Sequence, residues 1–215
     1  MIKPKFTTGE FYHIFNRGNN KRAIFLKPFD LMRFLQSMQE FNTKEPIGSI
    51  YINSFKNEEL RSSTPKLEKI VDFVCYCLNQ NHFHILIKQI ADGGIIKFMH
   101  RLGTGYTNYF NGKNKTSGAL FQGRYKAIHV DTNEYLLYLS AYINLNYKVH
   151  QLRSSTPKLC KSSWEEYTNV MNGFCNKKII MSQFNSAANY KDFAEEALKI
   201  IRNRKDMEKS LNLIT

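Results

Sequence analysis

The chain has 215 residues, enough for one well-packed core or for one domain with an appended helical segment. Hydrophobic residues make up 42% and aromatics 13%, which excludes a disordered polyelectrolyte. With 31 Lys and Arg against 18 Asp and Glu, the net charge of +13 points to a polyanionic partner, nucleic acid ahead of a membrane surface. No apolar run approaches a membrane span, and Met1–Phe6 lacks the apolar core of a signal peptide. Cys75, Cys77, Cys160 and Cys175 form no Cys-x-x-Cys or zinc spacing and read as reduced thiols of a cytoplasmic protein.

In chain order, Phe11 to Asn16 reads as a strand, closed by the turn formers and cation of Arg17-Gly18-Asn19-Asn20. Pro28 sits where a helix begins, and Leu31, Phe34, Leu35, Met38 and Phe41 follow at helical spacing. Pro46-Ile47-Gly48 ends that helix, and Ile50–Phe55 and Asp72–Leu78 read as strands. Asn79-Gln80-Asn81 is turn chemistry, running into a strand that starts at His82 and pairs with the one before. On that strand His82 and His84 share one face while Phe83 and Ile85 take the other. Two imidazoles so placed can converge on one divalent cation, or can simply be half-exposed strand histidines.

Gly93-Gly94 opens a helix whose stripe is Ile95, Met99, Leu102, Tyr106 and Tyr109, with Lys97, Arg101 and Asn108 off it. A polar loop is expected over Asn111–Gly118 and a short strand over Gln122–Val130. Asp131-Thr132-Asn133-Glu134 makes a capping box for a helix from Thr132 to about Tyr147. No acidic residue occurs from Gly93 to Val130, while Lys97, Arg101, Lys113, Lys115, Arg124 and Lys126 all do. Tyr106, Tyr109, Phe110, Phe121 and Tyr125 are interleaved with them, so cations for phosphates alternate with aromatics for unpaired bases. Tyr106 belongs to the apolar stripe and is expected in the core; Tyr125, between Arg124 and Lys126, is the better stacking candidate. After Leu152 the sequence reads as a helical appendix, with Tyr190, Phe193, Ala194, Ala197, Leu198 and Ile201 as its packing face. The octapeptide Leu60–Leu67 recurs unchanged as Leu152–Leu159. Eight residues are too few for a structural repeat, so the copies read as two insertions between elements. The element order gives an α+β fold, an antiparallel sheet with helices mainly on one face.

The last helix carries Tyr135, Tyr138, Tyr142 and Asn146, and Tyr142 and Asn146 stand one turn apart. A tyrosine with a pKa near 10 is a weak nucleophile unless a cation draws charge from the phosphate it attacks. An amide oxygen on the same face can join imidazoles in a mixed nitrogen and oxygen set. Tyr142 can equally be a packed aromatic at the core edge.

Taken together, His82-Phe83-His84 and Tyr142-Ile143-Asn144-Leu145-Asn146 resemble the histidine–hydrophobic–histidine and tyrosine-helix motifs of HUH single-tyrosine transposases, the IS200-like family. Tyr12-His13 through Arg17-Gly18-Asn19, Gly118 through Lys126, and Ser162-Ser163-Trp164 with Tyr167 are similar to the REP-associated tyrosine transposase branch. The family usually has Met-Pro where this chain has Asn79-Gln80, and Pro where it has Tyr147; both departures bear on backbone geometry. What the resemblance implies is a ferredoxin-like catalytic domain over residues 1–151, with a linker and helical extension over 152–215. It implies that His82, His84 and Asn146 hold Mg²⁺ or Mn²⁺, and that Tyr142 cuts and rejoins hairpin-associated single-stranded DNA through a 5′-phosphotyrosine. Arg17, Lys97, Arg101, Arg124, Tyr125 and Lys126 are the candidate DNA contacts. Monomer and homodimer stay open. A relative that binds nucleic acid without cutting, and a metal hydrolase using water, are the alternatives.

Overall fold

A computed structural model describes residues 4–50, 68–149 and 159–211, with side chains through Arg204. The strand expected over Ile50–Phe55 and both copies of the octapeptide lie outside the described residues, apart from Ile50 and Leu159. The strands are β1 (Phe11–Arg17), β2 (Val71–Asn79), β3 (His82–Gln89), β4 (Lys126–Val130) and β5 (Cys160–Ser162). They form one sheet in the order β4-β1-β3-β2-β5, every neighbour antiparallel. Helices α1 (Pro28–Glu40) and α2 (Gly94–Asn114) connect the first four strands. The β-α-β-β-α-β sequence with strand order 4-1-3-2 is the ferredoxin-like arrangement, and β5 extends it beyond β2.

Helices cover both faces, not mainly one. Against one face, α1 and α2 pack Phe34, Met38, Phe98 and Tyr106 over Ile14, Phe73, Phe83 and Ile85. Against the other lie α3 (Asn133–Asn144), α4 (Asn146–Val149) and α7 (Ala187–Leu211), with Leu139, Ile143, Tyr190 and Ala194 over Cys75, Cys77 and Leu86. Short helices α5 (Trp164–Tyr167) and α6 (Lys178–Met181) lie between β5 and α7. The physical reason is written in β2 and β3, whose almost unbroken apolar runs, Val71–Leu78 and Phe83–Ile87, suit a sheet buried on both sides. Among the described residues no helix is long and apolar enough to cross a membrane.

Two boundaries differ from expectation. Helix α2 runs on to Asn114, where Lys115 closes it in the left-handed conformation, so the expected loop from Asn111 is shorter. The strand expected from Gln122 starts only at Lys126, because residues 119–125 instead pin the end of β1: Asn19 N–H donates to Leu120 O (2.9 Å) and Gln122 N–H to Arg17 O (2.8 Å).

One irregularity divides β2 between the two cores. The β2–β3 ladder skips Val74, a one-residue bulge between Phe73 and Cys75. Above the bulge Phe73 faces the α1–α2 core; below it Cys75, Cys77 and Asn79 face the other way. In a regular ladder with no bulge, Phe73 and Asn79, six positions apart, would share a face, since strand side chains alternate strictly. The freed Val74 carbonyl accepts from Tyr167 Oη at 2.9 Å, so a buried tyrosine of α5 holds the bulge in place.

Candidate active site

The turn before His82 is fixed from outside. Gly18 N–H donates to Asn81 O (2.8 Å), and the N–H groups of Ile24 and Phe25 both donate to Gln80 O (2.8 and 3.1 Å). Gly18 is needed there because a Cβ would meet Arg22 O at 2.1 Å. The Asn79-Gln80 departure from the expected Met-Pro therefore leaves a formed turn.

Cross-strand partners share a face, so the ladders map the site in rows. Arg17, His82 and Asn79 form one row; Lys126, Phe15, His84 and Cys77 form the next; Ile128, His13 and Leu86 the third. His82 Nδ1 is 2.7 Å from Asn81 Oδ1, which can only accept. Nδ1 therefore carries a proton, and in the neutral ring Nε2 carries a lone pair. That lone pair meets Asn79 Nδ2 at 3.1 Å and Asn146 Oδ1 at 3.3 Å, and Asn79 Nδ2 also donates to Asn146 Oδ1 at 2.9 Å. His84 Nδ1 lies 2.9 Å from Nε2 of the buried His13, with the two rings stacked 5.1 Å apart. Burial lowers the His13 pKa to about 4, so that ring is neutral near pH 7. The contact with His13 fixes the ring orientation of His84.

Tyr142 approaches from α3, its ring edge-on to His84 at 5.6 Å and to His13 at 6.3 Å. Burial raises its pKa, and hydrogen bonding with Asn146 offsets part of the rise. Thr132 caps α3 by accepting from Tyr135 N–H. The helix expected to run to Tyr147 breaks at Leu145 (φ −105°, ψ 11°), and Asn146 opens α4. The break is held by Asn144, whose Nδ2 donates to Tyr190 Oη (2.8 Å) and whose Oδ1 accepts from Ser163 Oγ (2.6 Å). Ser163 Oγ also accepts from Tyr76 N–H at 2.9 Å, tying the tyrosine helix to the sheet. The Ser-Ser-Trp segment is thus a buttress for α3.

The structure sorts the candidate DNA contacts. Arg17 and Lys126 are exposed in the rows of His82 and His84. Arg124 is exposed beside them, and Tyr125 is half-buried, packed on the α1–α2 core. Asn16, His100, Arg124 and Tyr125 line a cavity of about 680 Å³ between α2 and residues 119–125. Arg101 is spent elsewhere: its guanidinium donates to the carbonyls of Thr43 and Lys44. The neighbouring Asn42 bonds Ile70 and Val71, the end of β2 farthest from Asn79, so Arg101 is not brought to the site. Lys97, one turn earlier on α2, is exposed toward that same end. Tyr106 is fully buried and donates to Ile24 O at 2.7 Å, as core.

Sequence reasoning missed His13, Asn79 and Asn81. His13 was legible as the same-face partner of two histidines on a neighbouring strand. Asn79 and Asn81 were legible only as turn residues.

Residues 56–146 match the family described as "Transposase IS200 like". No curated protein matches the chain. Among solved structures, a REP-associated tyrosine transposase bound to a REP hairpin is similar with a TM-score of 0.50 and 11% identity, over 79% of this chain and 85% of that one. At that identity the likeness is one of fold.

Proposed function

We propose, for a chain that carries an IS200-like transposase segment across residues 56–146, that it cleaves and rejoins single-stranded DNA at hairpin-associated sites, with Tyr142 as nucleophile. The observation that carries this reading is the convergence of His82 Nε2 and Asn146 Oδ1, two lone pairs 3.3 Å apart, beside a tyrosine ring 5.6 Å from His84. Two acceptors held that close suit a shared cation, so the residues fit Mg²⁺ or Mn²⁺ held by His82, His84 and Asn146. When bound, such an ion would polarise a phosphate oxygen and offset the cost of forming a buried tyrosinate.

The remaining work falls to the chain. Arg17 and Lys126 neutralise phosphates along the β1–β4 side of the histidine rows and hold the strand in place. Tyr142 loses its phenolic proton to solvent, and its oxygen bonds to phosphorus as the bond to the 3′ oxygen breaks. The leaving oxygen takes up a proton, and the 5′ end stays on Tyr142 as a phosphotyrosine. A second 3′-hydroxyl reverses the step, joining strands without a nucleotide cofactor. Tyr125 and the cavity it lines with Arg124 provide a place for an unpaired base.

The test is a hairpin oligonucleotide with single-stranded flanks, incubated with Mn²⁺ and run on a denaturing gel. A covalent protein–DNA band is expected, lost by several orders of magnitude in Tyr142→Phe, whose hairpin affinity is retained. An adduct persisting in Tyr142→Phe would move the nucleophile to Tyr138 or Tyr135. Hairpin binding by the wild type with no adduct would favour the non-cleaving relative.

A further inference from the structure

Asn79 is the buried polar side chain nearest both the His82 lone pair and Asn146, and no role has been given to it above. It is 8% exposed and stands opposite His82 in the ladder, so the hairpin register puts it on the same face. Its Nδ2 touches both His82 Nε2 (3.1 Å) and Asn146 Oδ1 (2.9 Å), which are themselves 3.3 Å apart. The two N–H bonds of one amide thus fill the gap between two lone pairs that would otherwise repel.

That triangle has the size of a coordination face. Six ligands about 2.1 Å from one octahedral cation lie about 3.0 Å apart along each edge. A half-turn of the Asn79 amide about its terminal torsion, which is soft, exchanges Nδ2 for Oδ1. Three acceptors would then meet at one place, an arrangement stable only with a cation among them. The competing contact the turn gives up is weak, a 3.6 Å approach of Nδ2 to Cys77 Sγ.

We propose that Asn79 is a further ligand of the cation site. With the site empty, its N–H groups hold His82 and Asn146 in register; with a divalent cation present, its carbonyl oxygen turns in beside theirs. This rests on the reading of the site given under Proposed function.

The test is titration of the full chain with Mn²⁺ in the absence of DNA, following free Mn²⁺ by electron paramagnetic resonance. Asn79→Leu keeps the volume and removes the oxygen, and is expected to weaken Mn²⁺ binding about 10- to 100-fold. Asn79→Asp keeps the shape, offers only oxygens and cannot donate; it is expected to bind Mn²⁺ more tightly than the wild type. Asn79→Asp would bind more tightly even if the amide were only a donor link, because a carboxylate facing two lone pairs destabilises the empty site, so it serves as the control that the altered site still takes the cation. An amide that serves only as a donor link, competing with the cation for the two lone pairs, would make Asn79→Leu bind more tightly. That result, or unchanged affinity in Asn79→Leu, overturns the proposal. Should Asn79→Leu fail to fold, Asn79→Ala takes its place: about 10-fold weaker binding supports the ligand, equal or tighter binding overturns it. His82→Ala separates the two levels. Wild-type binding that His82→Ala abolishes and Asn79 variants leave alone sinks this inference only, while a wild type that binds no Mn²⁺ sinks the parent reading with it.

Discussion

Asp30, a single carboxylate, organises the start of α1. It is fully buried; its Oδ2 accepts from the N–H groups of Leu26 and Lys27 at 2.9 Å each, and its Oδ1 from Tyr109 Oη (2.9 Å) and the Lys113 ammonium. Burial alone would raise its pKa, but Lys113 and the other donors outweigh it and hold the carboxyl below its ordinary 3.8. A depressed carboxyl stabilises the fold fully above its unfolded pKa and loses that contribution as pH falls through the folded one. Wild-type stability in urea is therefore expected to drop as pH falls below about 4, and Asp30→Asn to lack that component of the drop. The substitution should also cost about 1–3 kcal/mol at pH 7, because an amide NH2 in place of one oxygen cannot accept from Leu26 and Lys27 N–H or from Tyr109 Oη. At this same scale, spacing left His82, His84, Tyr142 and Asn146 each open, and the family resemblance singled out the four that the structure brings together. The sequence was a poor guide to Asn79, which reads as a turn residue and takes its place beside His82 only through the hairpin register. It misled on Arg101, because closeness to other cations along the chain says nothing about which end of a sheet a helix turn occupies.

Among the elements, the interrupted helix behind Tyr142 depends on a segment that reads, in sequence, as a mere appendix. Ser163 links Asn144 to the Tyr76 backbone, and Tyr190 closes the same network through Ser140 and Asn144. Ser163→Ala is expected to lower stability by about 1–3 kcal/mol with an unchanged urea m-value, because it leaves a buried amide oxygen and a backbone N–H without their partner. Adduct formation should fall more than hairpin binding does, since the loss reaches Asn146 through the break at Leu145. The strands themselves were legible from alternation and turn residues, and so was the cap at Thr132. The break was not. It is imposed by contacts between Asn144 and residues 19 and 46 positions further on, and local helix preference carries no trace of them.

Across the whole molecule, the positive charge divides by position. Arg17 and Lys126 lie beside the histidines on the β1–β4 side, whereas Lys97 and Arg101 lie toward the N-terminal end of their helix, α2. Arg17→Ala and Lys126→Ala are each expected to flatten the log–log salt dependence of hairpin binding by about 0.7, measured by fluorescence anisotropy between 50 and 200 mM salt (approximate limits). Lys97→Ala should leave the slope unchanged, and Arg101→Ala should show instead as a lower melting temperature. The placement of β3 has a further consequence, for timing. It is paired on both sides along its length, with β1 and β2, while Tyr142 rides on a helix that stops three residues later. In hydrogen–deuterium exchange the amides of Phe83–Ile87 should be among the slowest, opening only with the whole protein, and those of Leu145–Tyr147 should exchange sooner through partial opening. The imidazoles would then keep a fixed address while the tyrosine's tether breathes, so that a nucleophile joined to DNA could leave the histidines without the sheet giving way.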